Sequence, residues 1–273
     1  MIAIRACSGL EELEACVQLQ VETCGYDVAE VVPRKVFLVA QKIGGQVIGA
    51  FDAALAGASK DGGPESLVGF AMAWPGVKTG HGAPLPYLHS HMLAVRKNYR
   101  NQGLGARLKL EQRRDALQRG IGRMEWTFDP LEIKNAFLNI HKLGATASRY
   151  EVDFYGVSSS RLQSGLPTDR LVAEWQLDSP RVEDLVAGRP PAPHAFEECI
   201  QVPASIYQWR ASESGLKHAL DVQLENRRKF QQAFSQGLAV LGFTRDAEGN
   251  GVFELGLKPQ AEPADHPKDH KNL

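Results

Sequence analysis

The sequence predicts a mixed α/β (α+β) fold: a central mixed β-sheet flanked by helices, with a helix-plus-hairpin extension toward the C-terminus. Three observations carry this expectation. Hydrophobic periodicity switches between 2 and 3.6 along the chain, giving the order β-α-α-β-β-β-α-β-α-β-β. Three strands in a row precede the first strand–helix–strand unit, which argues against a doubly wound parallel sheet. After residue 177 a proline-rich stretch breaks the pattern, and a new helix and two strands follow.

Each element has its own signal. Residues 2–5 alternate as a first or edge strand. Ser8 stands before Glu11 at capping-box spacing, and Leu10, Leu13, Val17, Val21 and Cys24 recur at helical intervals. Pro33 opens a second short helix that KIGGQ ends. VIGAFDA and SLVGFAMAW read as strands joined by a Gly/Asp/Pro loop, and PGVKTGHGAPLP reads as the loop into the strand LHSHMLAV. Residues 103–119 read as a helix and RMEWTFDP as the next strand. Pro130 suits a first helical position, with Ile133, Phe137 and Ile140 carrying the helix to Gly144. YEVDFYG and RLVAEWQL follow as strands, the latter with Leu171, Ala173, Trp175 and Leu177 on one face.

These elements divide the chain into a core at 1–177, a Pro-rich linker at 178–195, an extension at 196–258 and a polar, disordered tail at 259–273. The extension holds a helix at about 212–236 and the strands LAVLGFTR and GVFELGL. With so small a core of its own, it is expected to pack on the first block.

Composition narrows the function classes. Net charge is −1, so no overall field recruits nucleic acid or anionic lipid. Cys7, Cys16, Cys24 and Cys199 are scattered without a CxxC pair, which disfavours a zinc framework or disulfide scaffold. Acidic residues interrupt the first apolar run, so it does not read as a signal peptide. No run approaches the roughly 20 apolar residues of a membrane span. The expectation is a soluble cytoplasmic protein that binds neither nucleic acid nor membrane.

The stretch VRKNYRNQGLGARLK joins a strand to a helix through a glycine turn. Backbone N–H groups there have no intrahelical partner, and the helix dipole favours an anion, so a phosphate can sit on them. Gly103 and Gly105 leave its approach open. The spacing is neither GxGxxG nor GxxxxGK[ST], and a simple tight turn is the competing reading.

Arg100-Asn101-Gln102-Gly103-Leu104-Gly105, preceded by LAVRKNYR, resembles the cofactor motif of the GNAT superfamily of acyl-CoA-dependent N-acyltransferases. NAFLNIHKLGA is similar to that family's next helix, and element order agrees from Ile2 to about Leu177. The resemblance extends to a little-characterised bacterial branch. It implies that the turn amides from Asn101 to Ala106 hold the pyrophosphate of acetyl-CoA or another acyl-CoA. The backbone from Leu93 to Val95 would pair with the pantetheine arm, and Asn135 would contact the cofactor. One departure stands out: Ile140 occupies the place of the family's proton-donating tyrosine.

His89 and His91 lie two residues apart on one strand, so both should project from one face. Three readings fit them. They are metal ligands, with His81 or Asp129 as distant third partners; or core histidines; or a general base, for which a side chain near pKa ~6.5 is suited. By the resemblance, His89 falls where some members carry a glutamate base. Glu125 and Asp129 are reserve candidates, and Glu151, Asp153 and Glu174 could border a cationic acceptor.

The expected function is acyl transfer to an amine of a small molecule or amino acid by direct attack, with a histidine base. No metal is expected, and a homodimer is compatible. The alternatives are a non-catalytic acyl-CoA-binding module of the same fold, and a metal-dependent hydrolase using His89 and His91.

Overall fold

The computed structural model describes residues 1–25, 28–55, 62–79, 83–156 and 163–258. The first block runs β1 (Ile2–Ala6), α1 (Gly9–Cys24), α2 (Arg34–Lys42), β2 (Gln46–Asp52), β3 (Leu67–Lys78) and β4 (Leu85–Val95). It continues with α3 (Leu104–Gln118), β5 (Arg123–Phe128), α4 (Ile133–Ala136, extended by a π-helical turn Phe137–Lys142), β6 (Thr146–Glu151) and β7 (Arg170–Gln176). Then come α5 (Pro180–Val186), β8 (Glu198–Val202), α6 (Ile206–Arg210), α7 (Leu216–Ser235), β9 (Leu238–Arg245) and β10 (Gly251–Leu257). Among the described residues, these strands form one mixed sheet in the order β1-β2-β3-β4-β5-β7-β6-β9-β10-β8.

The strands read as apolar runs because helices cover both faces. Leu13, Cys16 and Leu19 of α1 and Phe37 of α2 pack on one face of β2 and β3, against Phe51, Phe70 and Met72. On the other face Leu104 and Leu108 of α3 meet Ile48, Val68 and Ala71. A third cluster, around Trp126, Trp175, Phe230 and Phe253, joins β5–β7 to the C-terminal segment. The expected inward face of β7 is buried throughout at Leu171, Ala173, Trp175 and Leu177. No described helix is long and apolar enough to cross a membrane.

Several local expectations are corrected. Ser8 makes no side-chain cap; its N–H donates to Glu12 Oε2 at 2.7 Å, and Arg5 clamps that carboxylate through two short bonds. Half of the expected loop before LHSHMLAV is strand, since Pro75–Lys78 pair with Leu85–Leu88 in a long β3–β4 arm. Helix α4 starts at Ile133, because Asp129 Oδ1 accepts from Leu131 N–H and holds Pro130 in a turn. The strand expected at YEVDFYG ends at Glu151, with Asp153 at φ +47° in the turn that follows.

The proline-rich stretch contains α5, capped by Ser179 with Pro180 in its first turn and anchored by buried Val182. The hairpin β9–β10 carries a third strand, β8, antiparallel to β10. β9 meets the edge of β6 at Ala147↔Val240, so the C-terminal strands continue the first block's sheet. Asp169, fully buried, accepts from Tyr150 Oη at 2.6 Å and from both Nε (2.8 Å) and an Nη (2.9 Å) of Arg227 on α7. The tail expected to be disordered, 259–273, lies outside the described residues.

Candidate active site

One extra residue sets the geometry of β4. Opposite β3, Met92 pairs with Met72 and Ser90 with Ala73, so His91 is left over as a bulge. The bulge shifts the alternation by one. Leu88 and Ser90 face the α3 side, and after the bulge Leu93 and Val95 do so. His89, His91, Met92 and Ala94 turn toward the α1 side.

On that face Trp74 pairs in register with His89 and lies flat on His91, ring centroids 4.3 Å apart. The two imidazole centroids are 6.3 Å apart. Burial pushes His91 down to about 4, with a smaller push from His89, so its ring stays neutral at physiological pH. His89 is also lowered, by burial first and then by the nearby Lys109 charge.

β4 and β5 pair in parallel at Leu88↔Met124 and His89↔Glu125. Beyond those pairs the strands part into a wedge, and the edge of β4 facing β5 is unpaired from Ser90 onward. Leu93 and Val95 line it with their backbone, as an extended ligand arm requires, while their side chains pack with α3. Arg100 Nε donates to Val95 O at 2.9 Å and an Nη to Thr23 O at 3.4 Å, tying the turn to β4 and α1.

The glycine turn opens at the wide end of this wedge. Asn101 and Gly103 take left-handed φ values of +61° and +76°. Gln102 Nε2 is held by Asn98 O at 2.9 Å. None of the N–H groups of residues 101–106 donates a hydrogen bond within the described chain; the first to do so is Arg107, to Gly103 O. Leu104 is buried, and a Cβ on Gly105 would make ordinary contact with Leu93 and Leu138. A row of free N–H donors at a helix start fits a pyrophosphate. Asn135 is exposed on α4.

The reserve carboxylates are occupied. Glu125 takes Lys78 Nζ and, at 2.8 Å, Arg149. Glu174 is shared by Arg149 (3.1 Å) and Lys258 (3.3 Å). Asp129 Oδ2 pairs with buried Arg210 at 2.9 Å. Asp153 Oδ1 accepts from Thr168 N–H at 3.0 Å. Ile140 is fully buried. Among the described residues no three His, Cys, Asp or Glu side chains are placed to hold a metal; His81 lies outside them.

Sequence reasoning missed one group. Lys109 on α3 is 2 % exposed, its Nζ donating to Ser90 Oγ at 2.7 Å and lying 3.6 Å from the Trp126 ring centroid. The available signal was a lysine on the apolar stripe of α3, one residue after Leu108.

Residues 23–138 match the acetyltransferase (GNAT) family. No curated protein matches the chain. Among solved structures, Arabidopsis thaliana NAA60 in complex with acetyl-CoA is 15% identical and covers 64% of this chain and 99% of its own, with a TM-score of 0.50. The ribosomal-protein-S18-alanine N-acetyltransferase from Escherichia coli is 14% identical over 66% of this chain and 96% of its own, TM-score 0.47. An N-acetyltransferase from Staphylococcus aureus Mu50 is 14% identical over 65% and 99%, TM-score 0.46. At 15% identity, the likeness to the Arabidopsis thaliana structure is one of fold.

Proposed function

On the premise that the chain carries an acetyltransferase domain of the GNAT family at residues 23–138, we propose that it moves an acyl group from acyl-CoA to the amine of a small molecule or amino acid. The observation that carries this reading is the wedge. An unpaired β4 edge ends in a turn whose N–H groups at 101–106 are free, and two histidines stand on the opposite face of the same strand.

The turn would hold the pyrophosphate, and the β4 edge at Leu93–Val95 would hold the pantetheine arm. When bound, the coenzyme supplies an activated thioester carbonyl. The chain's own residues do the rest. A strand N–H near Leu93 would steady the developing oxyanion. An amine must be neutral to attack, and we assign the acceptance of its proton to His89. Its ring is less strongly shifted than that of His91, which is stacked on Trp74 and holds a proton only near pH 4. Glu125 and Asp129 are already neutralised by cations, so neither is a competitive base.

The non-catalytic alternative predicts binding without turnover. Calorimetry with acetyl-CoA, together with a thiol-release assay over a panel of amines and amino acids, separates the two. Binding of acetyl-CoA with amine-dependent thiol release is the expected result. Binding with no release for any amine would favour the sensing module, and absence of binding would overturn both.

A further inference from the structure

Lys109 is a buried titratable group that the reaction above leaves unused. Ser90 and Trp126 are the first residues past the last β4–β5 pairs, and the Lys109 amine touches both. It therefore sits at the closed end of the wedge, on the α3 side, where the two strands separate. Ser90 Oγ–H passes the chain of hydrogen bonds on to Gln112 Oε1 at 3.0 Å.

No carboxylate in the described chain offsets this charge. On β4 the nearest titratable group is His89, which Lys109 itself depresses. On β5 Glu125 belongs to the opposite face, paired with Lys78 and Arg149. Further along α3, Asp115 is held by Gln46 and Arg119. Packing does not require an ammonium here, because a methionine would fill the same space without the desolvation penalty. Meanwhile Ile140 offers no proton to a leaving group.

We propose that Lys109 is a catalytic residue whose ammonium, at the closed end of the β4–β5 wedge, carries the charge of the leaving coenzyme A thiolate and returns a proton to it. The inference rests on the acyl-CoA reading above. As the acceptor nitrogen bonds to the acyl carbon, the carbon–sulfur bond breaks and its electron pair stays on sulfur. Lys109 Nζ gives its proton to that sulfur and is left as a neutral amine. His89 releases the proton it took from the acceptor nitrogen to solvent, and Lys109 takes up one proton again once coenzyme A has left, which balances the cycle. Burial lowers the proton affinity of Lys109 well below that of an ordinary lysine, so it gives up its proton more readily.

The test reads the coenzyme thiol rather than turnover. Coenzyme A is bound to the full chain and titrated by thiolate ultraviolet absorbance, with desulfo-coenzyme A as the blank. The bound thiol should ionise about tenfold more readily than in free coenzyme A. Lys109→Met should abolish that shift and lower kcat by roughly 10- to 100-fold, while the affinity for desulfo-coenzyme A stays the same. A bound thiol that titrates like the free one overturns the role from the wild type alone. A shift that survives in Lys109→Met also overturns it. If neither coenzyme A nor its desulfo analogue binds, the cofactor site itself is wrong and the proposal falls with it.

Discussion

His91 lies on Trp74 with the two rings 20° from parallel, at the single bulge residue of β4. The stack shields one face of an imidazole that burial already holds neutral. Its proton affinity in the folded chain, about 4, is below the unfolded value near 6.5. The unfolded state therefore binds more protons between these limits, and stability falls as pH drops from about 6.5 toward 4. At about 1.4 kcal/mol per pKa unit, the loss from this residue is on the order of 3 kcal/mol. Urea unfolding at pH 7.5 and 4.5 should show His91→Leu losing less stability than the parent over that interval.

His89 should govern the pH–rate profile. Its proton affinity is lowered by burial and by Lys109, so the acid limb of acyl transfer should lie below pH ~6.5. His89→Gln should reduce the rate about a hundredfold and remove that limb, with acetyl-CoA affinity nearly unchanged. A profile of the parental shape in that variant would move the base elsewhere.

Gly103 tests the anion site. At φ +76° any side chain is strained, so Gly103→Ala should cost about 1 kcal/mol of stability and retain coenzyme binding. Gly103→Glu carries the same strain plus a negative charge beside the free N–H groups. It should weaken acetyl-CoA binding by at least tenfold more than Gly103→Ala, as measured by calorimetry.

The contact between α7 and the first block runs through Arg227 and Asp169. Removing the guanidinium leaves a fully buried carboxylate with, among the described residues, only Tyr150 and the Asp153 N–H as donors. Arg227→Met should cost roughly 2–3 kcal/mol, read as a lower urea midpoint. Ending the chain near residue 190 would remove Phe230 and Phe253, and so bare the β6 edge and the first block's half of their apolar cluster, around Trp126, Leu171 and Trp175. That fragment should aggregate or melt well below the full chain.

Much of this protein is written locally. Alternation in LAVRKNYR, a turn with glycines at 103 and 105, and helical spacing after them fix a strand–turn–helix whose N–H groups are free by geometry alone. The inward face of β7 follows in the same way from period 2. Other features depend on which chain lies opposite. The bulge at His91 exists only because β3 pairs out of step with β4, and it turns Leu93 and Val95 to the face that Ser90 occupied. Glu125 and Asp129 look like free carboxylates in sequence, yet Lys78, Arg149 and Arg210 reach them from 24 to 81 residues away. β8 is too short to signal itself and is ordered by β10. Lys109 reads as one more basic residue of a charged helix. Its burial was decided by the packing of α3 over the point where β4 and β5 separate, because desolvation is a property of all the neighbours together and not of any one segment.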